Sequence, residues 1–170
     1  DDKSMANSNN SISVALLFQN IENVKFFSGI LRGMGIVPFF YEDLKSFCKG
    51  IQDSVPDLAF IDIRMMSDGE FTLKDQRTIQ EGSVNLIFYA NEKTSPLLIS
   101  TYGLPHIGVV HSGMFIEEQF RAVMKRFYEF RGLKEKLNLL QDETRKKEQE
   151  LGSLLKNREI SDQRISYRQY

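Results

Sequence analysis

The stretch PDLAFIDIRMMSDG, Pro56 to Gly69, decides the fold of this chain. Its apolar part, Leu58 to Ile63, is a short run of the kind that forms a strand buried on both faces of a sheet. A turn-forming Pro56-Asp57 pair breaks the chain in front of it. The acidic residue Asp62 lies near the end of this run, and the segment that follows is polar. Asp62 is therefore the first candidate functional residue.

Further apolar runs on either side of this segment predict four more strands. They are Ser13 to Phe18, Ile36 to Tyr41, Val84 to Ala90 and Ile107 to Val110. Because Pro38 has no backbone N–H to donate, we expect the strand that contains it to lie at or near the sheet edge.

Helical spacing of apolar residues predicts helices between these strands. Asn20 or Asn23 caps the first and Asp43 the second, and a weaker pattern covers Leu73 to Gln80. Two apolar faces carry this prediction, one of Val24, Phe27, Ile30 and Leu31, the other of Leu44, Phe47, Cys48 and Ile51. A short helix is predicted over Pro96 to Thr101. Alternation of strands and helices predicts an α/β protein, a flavodoxin-like (βα)5 doubly wound domain with a parallel five-stranded sheet.

The order and spacing of these segments resemble the receiver domain of response regulators. PDLAFIDIRMMSDG resembles the phosphoacceptor strand and its loop, FFSGILRGMG resembles the first helix, and NLIFYANEK resembles the fourth strand and its switch loop. The resemblance covers residues 12–131. It implies that Asp62 is equivalent to the aspartate that accepts a phosphoryl group.

The same resemblance implies partners for that aspartate which this sequence lacks. Receivers hold a divalent metal with an acidic pair after the first strand, and contact the phosphoryl oxygens with a Ser/Thr after the fourth strand and a Lys after the fifth. The corresponding positions hold Phe18 and Gln19 (or Gln19 and Asn20) for the acidic pair, Tyr89 for the hydroxyl, and Val110 or His111 for the lysine. The sequence therefore predicts a degenerate receiver with no catalytic residues and no cofactor.

Three alternatives stay open for this site. Asp62 can still accept a phosphoryl group if Glu22 helps to hold Mg²⁺, which prefers carboxylate oxygens. Asp62 can instead be a structural residue that bonds nearby backbone donors. The vacated pocket near Phe18, Asp62 and Tyr89 can also hold a small ligand. With two histidines and one cysteine, a zinc-type metal site is not expected.

From Ile116 to about Glu159 the sequence has no proline and favours helix. Its first part is expected to complete the receiver-like domain, and Gly132 is a candidate hinge. Over 132–160 a heptad seam follows: Leu133, Leu137, Leu140, Thr144, Lys147, Leu151, Leu154 and Arg158. The seam predicts a homodimeric coiled coil, with the parallel arrangement favoured over the antiparallel one. The alternatives are a solvated single helix, a hairpin folded back at Gly152, or a scaffold that acts through the coil alone.

The two ends of the chain look unlike a folded domain. Residues 1–4 resemble a tag remnant, 5–11 are expected to be disordered, and 161–170 are predicted to begin a linker or a truncated output domain. Gln163 to Arg168 resembles the R-x-x-x-R entry to PilZ domains, which bind cyclic di-GMP, with Arg164 and Arg168 as the matching residues.

Composition excludes several classes of function. The formal net charge is -1, so nucleic acid is not an expected partner, and no apolar run approaches a membrane span. The single cysteine fits a cytoplasmic setting. Neither a glycine-rich phosphate loop nor a nucleophile elbow is present. We expect a non-enzymatic regulatory module in two-component signalling, which relays binding of an unidentified regulatory protein to an output domain.

Overall fold

A computed structural model describes residues 12–66, 71–91 and 103–168. The chain forms two compact units, the first ending at Lys125 and the second beginning at Arg126. The predicted tag remnant, the predicted disordered N-terminus and the predicted helix over Pro96 to Thr101 lie outside the described residues.

The first unit contains a sheet in which every pair of neighbouring strands is parallel. Its strands are β1 (Val14–Leu17), β2 (Phe39–Phe40), β3 (Leu58–Asp62), β4 (Asn85–Ala90) and β5 (Gly108–His111). Their order is β2-β1-β3-β4-β5, which confirms the predicted flavodoxin-like sheet and the edge position of β2. The strand β2 is much shorter than the predicted Ile36 to Tyr41, since Pro38 cannot donate to a ladder.

Among the described residues, four α-helices and one 3₁₀ turn accompany the strands. They are α1 (Ile21–Gly33), α2 (Leu44–Asp53), the 3₁₀ turn Ile63–Met66, α3 (Leu73–Glu81) and α4 (Ile116–Tyr167). Asn20 caps α1 by accepting from the Glu22 N–H, and Asp43 caps α2 by accepting from the Ser46 N–H. Thr72 and Asp75 form a reciprocal capping box at the start of α3.

The predicted apolar faces are the faces that these helices bury. All four apolar residues singled out on α1 are buried, and so are the four on α2. On α4, Phe120, Val123 and Met124 are buried in the first unit. A Cβ added to Gly108 of β5 would lie 3.0 Å from the Val123 Cγ2 atom, so helix and sheet are in close contact there.

The helix α4 runs without interruption from Ile116 to Tyr167. It passes through Gly132 and Gly152, so the hairpin considered at Gly152 is wrong; isolated glycines weaken a helix without ending it. It also extends beyond the predicted end near Glu159, because no proline stops it. Arg164 lies inside the helix and Arg168 just beyond it, so a PilZ-type role for them stays a prediction. None of the described helices combines the length and apolarity needed to cross a bilayer.

Candidate functional site

The sheet register brings three of the predicted site residues together. Asp62 at the end of β3 pairs with Tyr89 of β4, and Tyr89 pairs in turn with Val110 of β5. These residues therefore lie side by side at the carboxyl edge of the sheet, where parallel α/β proteins place their functional groups.

Asp62 is held by an ion pair with Arg64, a residue that the sequence argument did not single out. Arg64 lies in the 3₁₀ turn that directly follows β3. The Arg64 Nε donates to Asp62 Oδ1 at 3.1 Å and to Oδ2 at 3.2 Å, and the Arg64 Nη2 donates to Oδ2 at 2.7 Å. The backbone N–H of Arg64 adds a bond of 3.1 Å to Oδ1. Both carboxylate oxygens thus accept hydrogen bonds from one neighbouring residue.

The two members of this pair differ in exposure. The Asp62 side chain is 1% exposed, whereas that of Arg64 is 34% exposed. The hydrogen bonds to Asp62 raise the pKa of the Arg64 guanidinium above its already high value. The cation is therefore permanent, and it supplies the positive charge that a buried carboxylate needs.

Phe18, one of the candidates for the acidic pair, is an aromatic core residue. Its ring packs against Phe27 at 5.3 Å, Phe60 at 5.0 Å and Tyr89 at 5.4 Å between centroids. With Phe120, which stacks on Phe60 at 5.0 Å, these rings form an aromatic cluster on one side of the sheet. A carboxylate at position 18 would have to be buried inside that cluster.

Tyr89 belongs to the same cluster and is itself buried. Burial raises the pKa of its phenol, and the nearby Asp62 charge acts in the same direction. The phenol is therefore neutral at physiological pH. A bulky ring in van der Waals contact with aromatic neighbours occupies the position where the resemblance implies a small hydroxyl.

The remaining candidates on the β1 side carry surface or capping roles. Gln19 is exposed, and Asn20 uses its side-chain oxygen to cap α1. Glu22, the proposed substitute carboxylate, is largely exposed and lies 3.9 Å from the Lys25 ammonium. The four hydrogen bonds to the Asp62 carboxylate come from Arg64, and Glu22 takes no part in them.

Val110 and His111, the two candidates for the lysine position, lie at the end of β5. Val110 is fully buried, and His111 is exposed. The Gln119 amide bridges the loop after β5, since its Oε1 accepts from the His111 N–H at 2.9 Å and its Nε2 donates to the His111 carbonyl at 3.2 Å. At the end of β5, where the resemblance implies a lysine, the Gln119 amide thus binds the His111 backbone.

These residues do not fit a magnesium site. Magnesium is usually held by one or two carboxylates in addition to substrate oxygens, and here the carboxylate of Asp62 already accepts four hydrogen bonds. Across residues 12–66, 71–91 and 103–168, no group of three or more His, Cys, Asp or Glu side chains is placed to hold a metal ion.

A cleft of about 530 Å³ opens beside the site. Its lining comes from Phe18, Gln19, Ile21, Phe40, Glu42 and Met65. Ile21 and Phe40 are exposed apolar residues, and Glu42 adds a charged group to the described lining. Neither Asp62 nor Tyr89 lines this cleft, so it only partly coincides with the pocket expected from the sequence.

The second unit presents the predicted heptad seam to solvent. Thr144 donates its hydroxyl to the Leu140 carbonyl at 2.9 Å, which satisfies that hydroxyl within the helix. The seam leucines are all more than half exposed: Leu133, Leu137, Leu140, Leu151 and Leu154. This exposed apolar stripe is a candidate interaction surface.

Comparison with known proteins supports the fold. No protein-family model matches this chain, and neither does any curated protein. Among solved structures, the chain is similar to the N-terminal domain of a response regulator/sensory box/GGDEF protein from Carboxydothermus hydrogenoformans, at 13% identity and a TM-score of 0.59, with 71% of this chain and 97% of that one covered. The receiver domain of a Pseudomonas aeruginosa sensor histidine kinase, crystallised with magnesium in its active-site cleft, matches at 14% identity and 0.56, covering 69% and 98%.

A third similar structure is a fusion that carries a segment of the trimeric coiled coil of yeast Spc42. It matches at 14% identity and a TM-score of 0.59, and covers 80% of this chain and 93% of that one. At these identities the comparisons show the fold alone. The first unit has the fold of response-regulator receiver domains.

Proposed function

We propose that this chain is a pseudo-receiver, a receiver-fold signalling module that works without phosphorylation. Its first unit presents a binding surface to a regulatory protein in the cytoplasm. Its helix α4 joins two copies and relays their state to an output domain. The module itself catalyses no reaction and needs no cofactor.

The observation that carries the proposal is the Asp62–Arg64 ion pair. Phosphoryl transfer to a carboxylate needs a free oxygen as nucleophile and a metal ion that offsets the charge of the incoming group. Here the guanidinium binds both oxygens in the two-pronged geometry that makes such pairs strong. A donor would have to displace it from a carboxylate that is 1% exposed.

The surrounding residues support the same reading. The positions that would hold the metal carry an aromatic core residue, Phe18, and a neutral amide, Gln19. The position that would hold a lysine is the buried Val110. Arg64 thus provides a fixed internal countercharge where a working receiver would have a metal and a mobile phosphoryl group.

Thermal melting with beryllofluoride tests the proposal. This anion is a stable analogue of a phosphoryl group on a carboxylate, and a ligand that binds only the folded state raises the melting temperature. We expect no change in melting temperature when Mg²⁺ and beryllofluoride are added to the full chain. A rise in the natural chain that is absent from Asp62→Asn would show that the site still binds the phosphoryl analogue and would contradict the proposal.

The proposed dimer is tested by sedimentation equilibrium of the full chain. Exposed leucines at a and d positions favour self-association, because burying them removes apolar surface from water. We expect a dimer mass at low micromolar concentration. A monomer at high micromolar concentration would contradict this part of the proposal.

A second candidate function, binding of a small ligand, is favoured by the cleft beside Phe18. A volume of about 530 Å³ is in the range of small-molecule sites. The ligand would bury apolar surface against Ile21 and Phe40. Native mass spectrometry of protein from its own host tests this candidate: a retained small molecule that is lost in Phe40→Glu supports it, and a bare protein mass contradicts it.

A further inference from the structure

We propose that α4 pairs with a second copy of this chain as a parallel coiled coil in which identical residues face each other. This inference rests on the proposed function, because it specifies the geometry of the proposed dimer. The structure extends the predicted seam at both ends with exposed apolar residues at heptad positions, Phe130 before Leu133 and Ile165 after Arg158. Ser161 occupies the heptad position between Arg158 and Ile165 and is also exposed.

The order of apolar and polar residues along the seam favours the parallel pair. In such a pair, each layer of the interface contains the same residue from both chains. Polar residues then meet only their own kind, at Thr144, Lys147, Arg158 and Ser161. Every apolar residue meets an apolar partner: Phe130, Leu133, Leu137, Leu140, Leu151, Leu154 and Ile165.

An antiparallel pair does not keep apolar and polar residues in separate layers. The register centred between Thr144 and Lys147 keeps leucine against leucine only in its middle, where Leu137 faces Leu154 and Leu140 faces Leu151. Outside the middle it buries apolar side chains against polar ones, with Leu133 against Arg158 and Phe130 against Ser161. Each such layer loses apolar burial and desolvates a polar group.

Slippage of the parallel pair by one heptad is penalised in the same way. It sets Leu137 against Thr144, Leu140 against Lys147 and Leu151 against Arg158. Only the in-register pair places polar residues opposite polar residues in every layer. The polar residues of the seam therefore specify one register. Polar residues at core positions are known to fix register at some cost in stability.

Charges beside the seam are compatible with this register. A d-position side chain contacts the e position of the facing helix, so each Lys147 ammonium reaches the partner copy's residue at position 148, a glutamate. The glutamates at position 148 offset the repulsion between the two ammonium groups. Glu143 is a g residue beside the Thr144 layer, and its like-charge contact with position 148 of the other copy reduces this gain. Glu129 and Lys134 occupy g and e positions that attract each other between parallel chains.

The charged layers also favour two chains over three. A third helix would bring a third Lys147 and a third Arg158 into layers where two like charges already meet. Thr144 adds little cost in a pair, because its hydroxyl is satisfied by the Leu140 carbonyl within its own helix.

Cysteine cross-linking of the full chain tests the arrangement. Leu140→Cys and Leu151→Cys are made separately, and each is oxidised alone and as an equimolar mixture in which one variant carries a mass tag. The natural Cys48 is buried, and burial raises the pKa of its thiol to about 12, so the unmodified chain serves as the control without cross-links. Leu137→Cys and Leu154→Cys repeat the test independently, and circular dichroism verifies that each variant stays helical.

The parallel in-register pair predicts that each single variant cross-links to itself to near completion. It also predicts that the mixture gives almost no product between the two variants. The opposite result, a mixed product with no self-linked product, together with a dimer mass in sedimentation, would overturn the inference and leave the proposed dimer standing. A monomer mass would overturn both, and a trimer mass would overturn the two-stranded arrangement.

Discussion

The two units of this chain treat their apolar side chains in opposite ways. In the first unit, the apolar residues of β1, β3 and β4 are buried, and Phe18, at a position expected to hold a metal carboxylate, belongs to an aromatic cluster. In the second unit, the leucines of the seam are exposed. The first unit buries an aromatic cluster beside the end of β3, whereas the second unit exposes an apolar stripe at heptad spacing.

This difference teaches where the function of such a chain resides. A site whose charges are mutually satisfied has little left with which to bind a phosphoryl group. An exposed apolar stripe at heptad spacing still has free energy to gain from association. Substitutions in the two units should therefore affect different measurements.

The largest effect is expected from restoring an acidic residue in the first unit by Phe18→Asp. Replacing a buried phenylalanine by a small residue costs about 3–5 kcal/mol of unfolding free energy, and an unpaired buried charge adds to this cost. Chemical denaturation should show that most of the stability of the first unit is lost. Gln19→Asp, at an exposed position, is the matched control and should change stability by about 0.5 kcal/mol or less. Equal, small effects of the two changes would contradict the packing role of Phe18.

A substitution in the seam should affect association and spare the first unit. Leu140→Asp removes one buried leucine from each chain of the pair, worth about 1.5–3 kcal/mol each, so we expect the dissociation constant to rise by about two orders of magnitude or more. Leu139→Asp is the matched control, because Leu139 is 65% exposed and Leu140 is 60% exposed but only Leu140 lies on the seam. If sedimentation shows that self-association is weakened equally in both variants, the surface is not a specific seam.

Breaking the Asp62–Arg64 pair should have an intermediate and asymmetric effect on stability. Arg64→Ala leaves a buried carboxylate without its cation, which costs several kcal/mol in a fully buried pair. Because Arg64 is about one-third exposed, we discount this to about 2 kcal/mol. Asp62→Asn should cost less, since Arg64 can turn toward water. Denaturation of the two single variants and the double variant measures their coupling, and additive effects would contradict the ion pair.

The smallest effects on stability are expected at two glycines, which differ in the space around them. A Cβ at Gly132 meets nothing within 4 Å, whereas a Cβ at Gly108 lies 3.0 Å from Val123. Gly132→Ala should therefore stabilise the helix by about 1 kcal/mol, and Gly108→Ala should destabilise the first unit by about 1–3 kcal/mol. Thermal melting followed at helical and near-ultraviolet wavelengths resolves the two changes. If both substitutions stabilised the protein, or both destabilised it, the assigned packing would be contradicted.

Much of the fold followed from apolar spacing alone. The buried faces of α1 and α2 were predicted because a period of 3.6 residues places their apolar residues on one side. The apolar run predicted a strand from Leu58 to Ile63, and the resemblance to receiver domains placed Asp62 at the strand end, where β3 does end. The extent of β2 was overestimated, because the apolar residues around Pro38 are largely exposed at the sheet edge.

The ion pair at the centre of the site could not be predicted in the same way. Arg64 stands two residues after Asp62, and the contact between them depends on the local conformation of the 3₁₀ turn that begins at Ile63. An arginine two residues after a strand-end aspartate was the signal available in the sequence. The choice between Phe18–Gln19 and Gln19–Asn20 as the equivalent of the acidic pair stays open, and the structure shows Asn20 as the cap of α1.

Intact-mass measurement after incubation with acetyl phosphate and Mg²⁺ tests the central claim most directly. The protein is compared with Asp62→Asn, and circular dichroism verifies that both are folded. The account predicts the unmodified mass for both proteins, because Arg64 holds the carboxylate and no metal pair supports the transfer. Addition of one phosphoryl group to the natural chain, absent from Asp62→Asn, would contradict it and would show that this domain still switches by phosphorylation.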